Sequence, residues 1–254
     1  MSNSPGQNNG EIAIQFQDVS KAFGSQKVLD HITFQVSAGE GFCLLGRSGI
    51  GKSVTLKIMI GLVKPEAGKV FISGTEIHSL APPDLSAVRK KMGFLFQNAA
   101  LFDSISVAEN VAFPLRRHTK KSEEEIRAIV HEKLKEVELE NEGEKSPAQL
   151  SGGMSKRAAL ARALVLDPPI ILVDEPSSGL DVITADEIYD LLLQLKKSRK
   201  VTLIVVTHDV KGAQKFADRF AVLDHGKIIG CGTADELLHS DNALVRELAK
   251  GSIT

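Results

Sequence analysis

Residues 46–53, Gly46-Arg47-Ser48-Gly49-Ile50-Gly51-Lys52-Ser53, follow the pattern G-x-x-x-x-G-K-[ST]. Glycines let a backbone curl so that successive N–H groups converge on one point, a geometry suited to phosphate oxygens. Lys52 has the reach for β- and γ-phosphates, and the Ser53 hydroxyl is a hard oxygen ligand for Mg²⁺. A second segment, Ile170-Ile171-Leu172-Val173-Asp174-Glu175, runs an apolar stretch into two carboxylates. Such a strand delivers its last residues to the carboxyl edge of a parallel sheet, where ligands gather. Asp174 is then placed to hold the metal through water, and Glu175 to polarise an attacking water as general base. The two segments together predict hydrolysis of ATP, with ATP and Mg²⁺ as cofactors.

A third segment, Leu150-Ser151-Gly152-Gly153-Met154, opens a helical pattern with a capping serine. One glycine would serve a cap; two beside a serine expose enough backbone N–H groups for a second phosphate-binding surface.

These segments need positioning elements, and the chain supplies an α/β pattern. Glu11 to Val19 alternates apolar and polar residues as a half-buried strand does, and Val28 to Val36 offers another, together an antiparallel edge. Gly41 to Leu45 is a short buried strand entering the glycine-rich loop, and Lys52 to Leu62 has helical spacing that ends before Pro65. Further strands read at Ile170 to Val173 and Thr202 to Val206, separated by a helix from Val182 to Lys197. A helical subdomain occupies about residues 98–166, with patterns at Ser122 to Val137 and Lys156 to Leu166. Phe220 to Leu223 and Lys227 to Gly230 flank Asp224-His225-Gly226 as a hairpin, and Ala234 to Lys250 returns to helix.

The 254 residues suffice for one large domain over residues 11–250, with a disordered lead-in at 1–10 and a tail at 251–254. The 31 basic and 32 acidic residues nearly cancel, so no global field recruits nucleic acid. Cys43 and Cys231 sit in apolar stretches and read as core thiols rather than a disulfide scaffold. The first ten residues lack the charge and apolar run of a signal peptide, and nowhere do about 18 apolar residues run together. Any membrane span must come from another polypeptide.

With these motifs in this order, the chain resembles the ATP-binding subunits of ABC transporters from about Glu11 to Lys250, a P-loop fold with a mixed core sheet. The family's signature is Leu-Ser-Gly-Gly-Gln, and Met154 stands here in place of Gln. The resemblance implies that Ser151, Gly152 and Gly153 contact the nucleotide bound by the opposite subunit's P-loop, so that a second copy completes each site. It implies that Gln97 is the Q-loop residue sensing Mg²⁺ and water, that His208 is the switch histidine at the γ-phosphate, and that Asp181 closes a D-loop beginning at Ser177. Phe23 corresponds to the aromatic that stacks on adenine, usually Tyr; an exposed Phe before a turn also packs locally.

Two stretches narrow the resemblance. Leu95 to Asp103, continuing to Glu109-Asn110-Val111-Ala112-Phe113-Pro114-Leu115-Arg116, and the Met-containing signature running on to Ala163 look like the Mla-type (MlaF-like) subfamily. That resemblance implies phospholipid transport across a bacterial envelope, an integral membrane permease dimer, an MCE-domain lipid-binding protein, and a peripheral place on the cytoplasmic face of the inner membrane. Phe102, Val107, Phe113 and Pro114 form an apolar segment that suits either a permease helix or the local core. Two alternatives keep the motor residues: an importer of amino acids or metal ions, and a soluble ABC-type ATPase of DNA repair or translation. The second is disfavoured by the absence of heptads, a second cassette and a basic excess.

Overall fold

The computed structural model describes residues 11–251; the expected lead-in at 1–10 and the last three residues lie outside it. In chain order the elements are β1 (Ile12–Phe23), β2 (Gln26–Ser37), β3 (Gly41–Leu45), α1 (Lys52–Met59), β4 (Ala67–Ile72), β5 (Thr75–Glu76), α2 (Pro82–Arg89), β6 (Met92–Leu95), α3 (Val107–His118), α4 (Glu123–Glu136), α5 (Gly152–Leu164), β7 (Ile170–Asp174), α6 (Val182–Arg199), β8 (Thr202–Thr207), α7 (Val210–Ala213), β9 (Arg219–Asp224), β10 (Lys227–Gly232), α8 (Ala234–Leu238) and α9 (Ala243–Ala249).

Five parallel strands and one antiparallel edge strand form the main sheet, in the order β10-β9-β3-β8-β7-β6. Every residue of β3, β7 and β8 is buried, which explains why these segments read as unbroken apolar runs rather than alternating ones. Successive side chains point to opposite faces. Phe42, Leu44, Ile170, Leu172, Ile204 and Val206 therefore join one hydrophobic core. Cys43, Leu45, Ile171, Val173, Leu203 and Val205 join another.

The β1–β2 pair is antiparallel as expected, and the short strands β4 and β5 extend it into a four-stranded sheet of its own, ordered β2-β1-β4-β5. Its apolar face, including Ile14, Phe16 and Phe34, packs into the same core as Phe42, with Phe16 stacked on Phe34 and Phe34 on Phe42. The other core lies under α3, α4, α5 and α6.

Helix α3 is absent from the sequence reading because Pro114 interrupts its interior and removes one backbone donor. It forms nonetheless: Ser106 caps it, and Val107, Val111, Ala112 and Leu115 are buried against the core. Asn110, wholly buried, ties α3 to the preceding loop by accepting from the Phe102 N–H at 2.7 Å and donating to the Phe102, Ile105 and Ser106 carbonyls at 3.0, 3.4 and 3.0 Å. The single helix expected from Ala234 to Lys250 is two, because Asn242 accepts from the N–H groups of Leu244 and Val245 and starts a new helix there. Cys43 is buried, but Cys231 is exposed, a correction to its reading as a core thiol: it lies on edge strand β10, where Arg219 donates to its sulfur at 3.4 Å.

Candidate functional site

Strand β3 ends at Leu45 and the chain enters the glycine-rich loop, whose Arg47, Ser48 and Gly49 are exposed while Gly46 is buried and Ile50 half-buried. Gly51, just before α1, has φ of 110°, and a Cβ there would lie 2.6 Å from Val28 Cγ1. Both the dihedral and the close approach demand glycine. The loop thus delivers its N–H groups and the start of α1 to one concavity, which fits phosphate oxygens. Lys52 is 5% exposed, and its ammonium donates to the carbonyls of Gly46 at 2.8 Å and Arg47 at 3.0 Å.

The carboxyl ends of β7 and β8 complete the site. Ser53 Oγ donates to Asp174 Oδ1 at 2.7 Å, bringing two hard oxygens together at the foot of α1. Burial raises the Asp174 pKa, the Ser53 hydrogen bond opposes that, and neighbouring Glu175 adds to it. Among the described residues no group of three His, Cys, Asp or Glu side chains could hold a metal. A divalent ion at Ser53 and Asp174 would take its other ligands from water and phosphate, as Mg²⁺ does.

Glu175 bridges two partners: its Oε1 lies 3.0 Å from Lys52 Nζ, and His208 Nδ1 donates to its Oε2 at 2.9 Å. A carboxylate only accepts, so the bond places the histidine proton on Nδ1 and leaves Nε2 turned elsewhere. The backbone of Glu175 is in the left-handed region, φ 45°, a costly conformation for a non-glycine residue that collects at functional sites. Its N–H donates to the Val206 carbonyl at 2.9 Å. The arrangement can activate a water beside a bound phosphate, with Lys52 as counter-charge and His208 as a movable hydrogen-bond partner.

The structure gathers Lys52, Ser53, Asp174, Glu175 and His208 directly. Gln97 is joined to the neighbouring loop, its Nε2 donating to Ser178 Oγ at 3.1 Å. Ser151 caps α5, accepting from the Met154 N–H at 3.2 Å, and no hydrogen bond links Ser151, Gly152 or Gly153 to the glycine-rich loop among the described residues. A Cβ on Gly153 would lie 2.4 Å from Thr184 Cγ2 and one on Gly152 3.2 Å from Leu180, so α5 and the start of α6 are closely fitted. Asp181 caps α6, accepting from the N–H groups of Ile183 and Thr184 and from the Thr184 hydroxyl. These bonds hold its carboxyl below the usual carboxylate range. Phe23 is 50% exposed at the end of β1, with the Lys21 ammonium 5.0 Å from its ring centre.

Two residues brought in by the fold escaped the sequence reading. Lys156 donates to the Glu175 carbonyl at 3.1 Å, and Arg162 donates to the carbonyls of Ala99 and Ala100, both at 2.8 Å. The signal for Lys156 is a lysine among Ala158, Ala159 and Leu160 on a helix that buries nearly all round. Near Arg162 an open groove of about 440 Å³ is lined by Phe94, Phe96, Phe102, Phe113 and Pro114. Phe102 and Phe113, 46% and 47% exposed, have ring centres 5.0 Å apart. Val107, expected with them, is fully buried and belongs to the core because it faces inward from the first turn of α3.

Residues 29–178 match the ABC transporter family model. The chain is 45% identical over 240 residues to the "Probable ribonucleotide transport ATP-binding protein mkl" of Mycobacterium leprae, covering 94% of this chain and 69% of that one. It is 41% identical over 238 residues to the "Intermembrane phospholipid transport system ATP-binding protein MlaF" of Haemophilus influenzae, covering 94% and 90%. Among solved structures, a dimeric post-hydrolysis state of the ATP-binding cassette MJ0796 bound to ADP and Pi superposes with a TM-score of 0.80 at 36% identity, covering 87% of this chain and 98% of that one. The chain belongs to the ABC transporter family, as an ATP-hydrolysing, ATP-binding subunit.

Proposed function

We infer that two copies of this subunit close head to tail around ATP and reopen on hydrolysis, driving a membrane permease that moves phospholipid. The observation that carries the motor reading is Glu175, buried at the end of β7 and held between Lys52 and His208 beside the Ser53–Asp174 pair. In this reading the loop from Gly46 to Ser53 binds the phosphates, and entry of the anion exchanges Lys52's bonds to loop carbonyls for bonds to phosphate oxygens. Ser53 and Asp174 would hold Mg²⁺, which supplies charge neutralisation at the phosphates, and Gln97 would approach it from the Ser178 side. Glu175 orients and polarises water, and His208 hydrogen-bonds the γ-phosphate.

The signature residues Ser151 to Gly153 have no bond to their own glycine-rich loop among the described residues, which agrees with their serving a second copy. Dimeric cassettes of the solved relative support that arrangement. Asp181 contributes through its cap on α6 at the dimer contact rather than through a free carboxylate. Phe23, exposed and stacked under Lys21, would meet adenine from the edge of the small sheet.

No helix among the described residues is long and apolar enough to cross a membrane, and the aromatic groove at Phe102 and Phe113 offers a seat for a permease helix on the cytoplasmic face. The name of the Haemophilus relative favours phospholipid as cargo, and that of the Mycobacterium relative points to ribonucleotide; an MCE-domain partner rests on the Mla-type resemblance of the sequence alone. Glu175→Gln is the test of the motor: ATP binding persists, turnover falls by about 10²-fold or more, and an ATP-bound dimer accumulates on gel filtration. Unchanged turnover removes Glu175 from its role. Purification of the membrane complex through this chain decides the cargo: a solute-binding protein without lipid defeats the phospholipid reading.

A further inference from the structure

Lys156 lies on α5 little more than one turn past Ser151 and is 5% exposed. Its ammonium donates to a single acceptor, the carbonyl of Glu175, and forms no salt bridge among the described residues. A buried cation so sparsely paired is costly, and burial indeed lowers the lysine pKa against the pull of Asp174 and Glu175. Packing alone would favour an apolar residue here.

The backbone that Lys156 holds is the strained one. Glu175 combines φ of 45° with a following proline, Pro176, and a residue before proline is biased toward extended backbone. Its N–H is fixed by Val206 on β8, and its carbonyl accepts from Lys156 on α5 at 3.1 Å and from the Ser178 N–H of the following turn at 3.2 Å, so the residue is held from two elements and its own turn. Without Lys156 the carbonyl keeps only the local bond from Ser178, so the 175–176 peptide loses its tie to α5 and the carboxylate can shift relative to Lys52 and His208.

We propose that Lys156 is a positioning residue that couples the two nucleotide sites of the dimer. The first turn of α5 faces the partner's nucleotide, and the same helix, through Lys156, sets the backbone of the glutamate that serves its own nucleotide. Occupancy of one site thereby tunes the general base of the other. The coupling rests on the head-to-tail dimer inferred above.

The test uses the full-length chain, with steady-state hydrolysis followed as Mg-ATP is titrated and ATP binding measured separately. Lys156→Met retains wild-type ATP affinity, loses about tenfold in kcat, and brings a Hill coefficient above 1 down to 1. Lys156→Arg, which keeps a charged donor, restores both. Should the methionine variant not fold, Lys156→Gln carries the same two readouts. Wild-type kcat and cooperativity in Lys156→Met overturn the proposal, as does a loss that arginine does not rescue and that comes with weakened ATP binding. A wild-type chain that is non-cooperative, with Glu175→Gln monomeric in ATP, refutes instead the dimer reading, and the coupling falls with it.

Discussion

Replacing Asn110 by alanine tests how the loop that shapes the aromatic groove is held. The side chain satisfies both backbone groups of Phe102 and reaches the carbonyls of Ile105 and Ser106 from a fully buried position. Three of the four contacts are 3.0 Å or shorter; the 3.4 Å bond to Ile105 adds little. At about 1 kcal/mol net for each good bond, and more where the stranded partner stays dry, Asn110→Ala costs roughly 3 kcal/mol. For a chain of this size that lowers Tm by about 10 °C. Asn110→Asp keeps the acceptor for the Phe102 N–H but sets a buried carboxylate oxygen against the Phe102 and Ser106 carbonyls, so it costs at least as much as alanine. The assay is equilibrium urea unfolding of each variant, alongside recovery of membrane partners through a tag on this chain. The expected outcome is a destabilised alanine variant with unaltered ATP affinity and reduced permease recovery. A loss below about 0.5 kcal/mol would show that water replaces the side chain, and the argument from buried bonds fails.

Asp174 gives a pH prediction. Burial raises its pKa above the ordinary 3.8, so the folded chain keeps the proton to higher pH than the unfolded one. Between those two values the unfolded state binds fewer protons, and stability falls as pH rises and stays lower at neutrality. Asp174→Asn is therefore more stable than wild type at about pH 7, with a flatter pH dependence above about pH 4, while turnover is lost. Thermal melts across that range check it, and an asparagine variant that melts at or below wild type at neutral pH sinks it. Gly153→Ala places a methyl 2.4 Å from Thr184 Cγ2 and must push α5 from α6, costing about 1–3 kcal/mol. Thr184→Ser in the same chain removes that methyl and restores most of the loss; absence of rescue in unfolding experiments would locate the clash elsewhere.

The glycine-rich loop and the carboxylates of β7 were legible because their signals are local: glycine spacing, and an apolar run that ends in charge. Strands β3, β7 and β8 were legible for the same reason, each being buried throughout, whereas β6, with only four residues, was not read. What stayed hidden depends on partners distant in sequence. Helix α3 forms despite Pro114 because tertiary burial of Val107, Val111 and Leu115 outweighs one missing backbone bond. Strands β4 and β5 gave no pattern, since β5 has two residues and the first three of β4 are exposed. Cys231 stands in an apolar string, yet an edge strand turns alternate residues to solvent. The partner of Lys156 stayed hidden too, because nothing in sequence announces a bond to a carbonyl nineteen residues later.

The alternation along β3, β7 and β8, one residue to each core, makes the main sheet a partition between two independently packed compartments. The core under α3, α4 and α5 and the core around Phe16, Phe34 and Phe42 meet only through the sheet itself, and the groove opens at its β6 edge, where Met92 and Phe94 belong to the second core. The side chains gathered at the candidate site sit on the rim of that wall, at the ends of β3, β7 and β8. Substitutions deep in either compartment can thus be accommodated on their own side of the sheet, except along α5, where Lys156 ties the helical side to the Glu175 backbone on the rim.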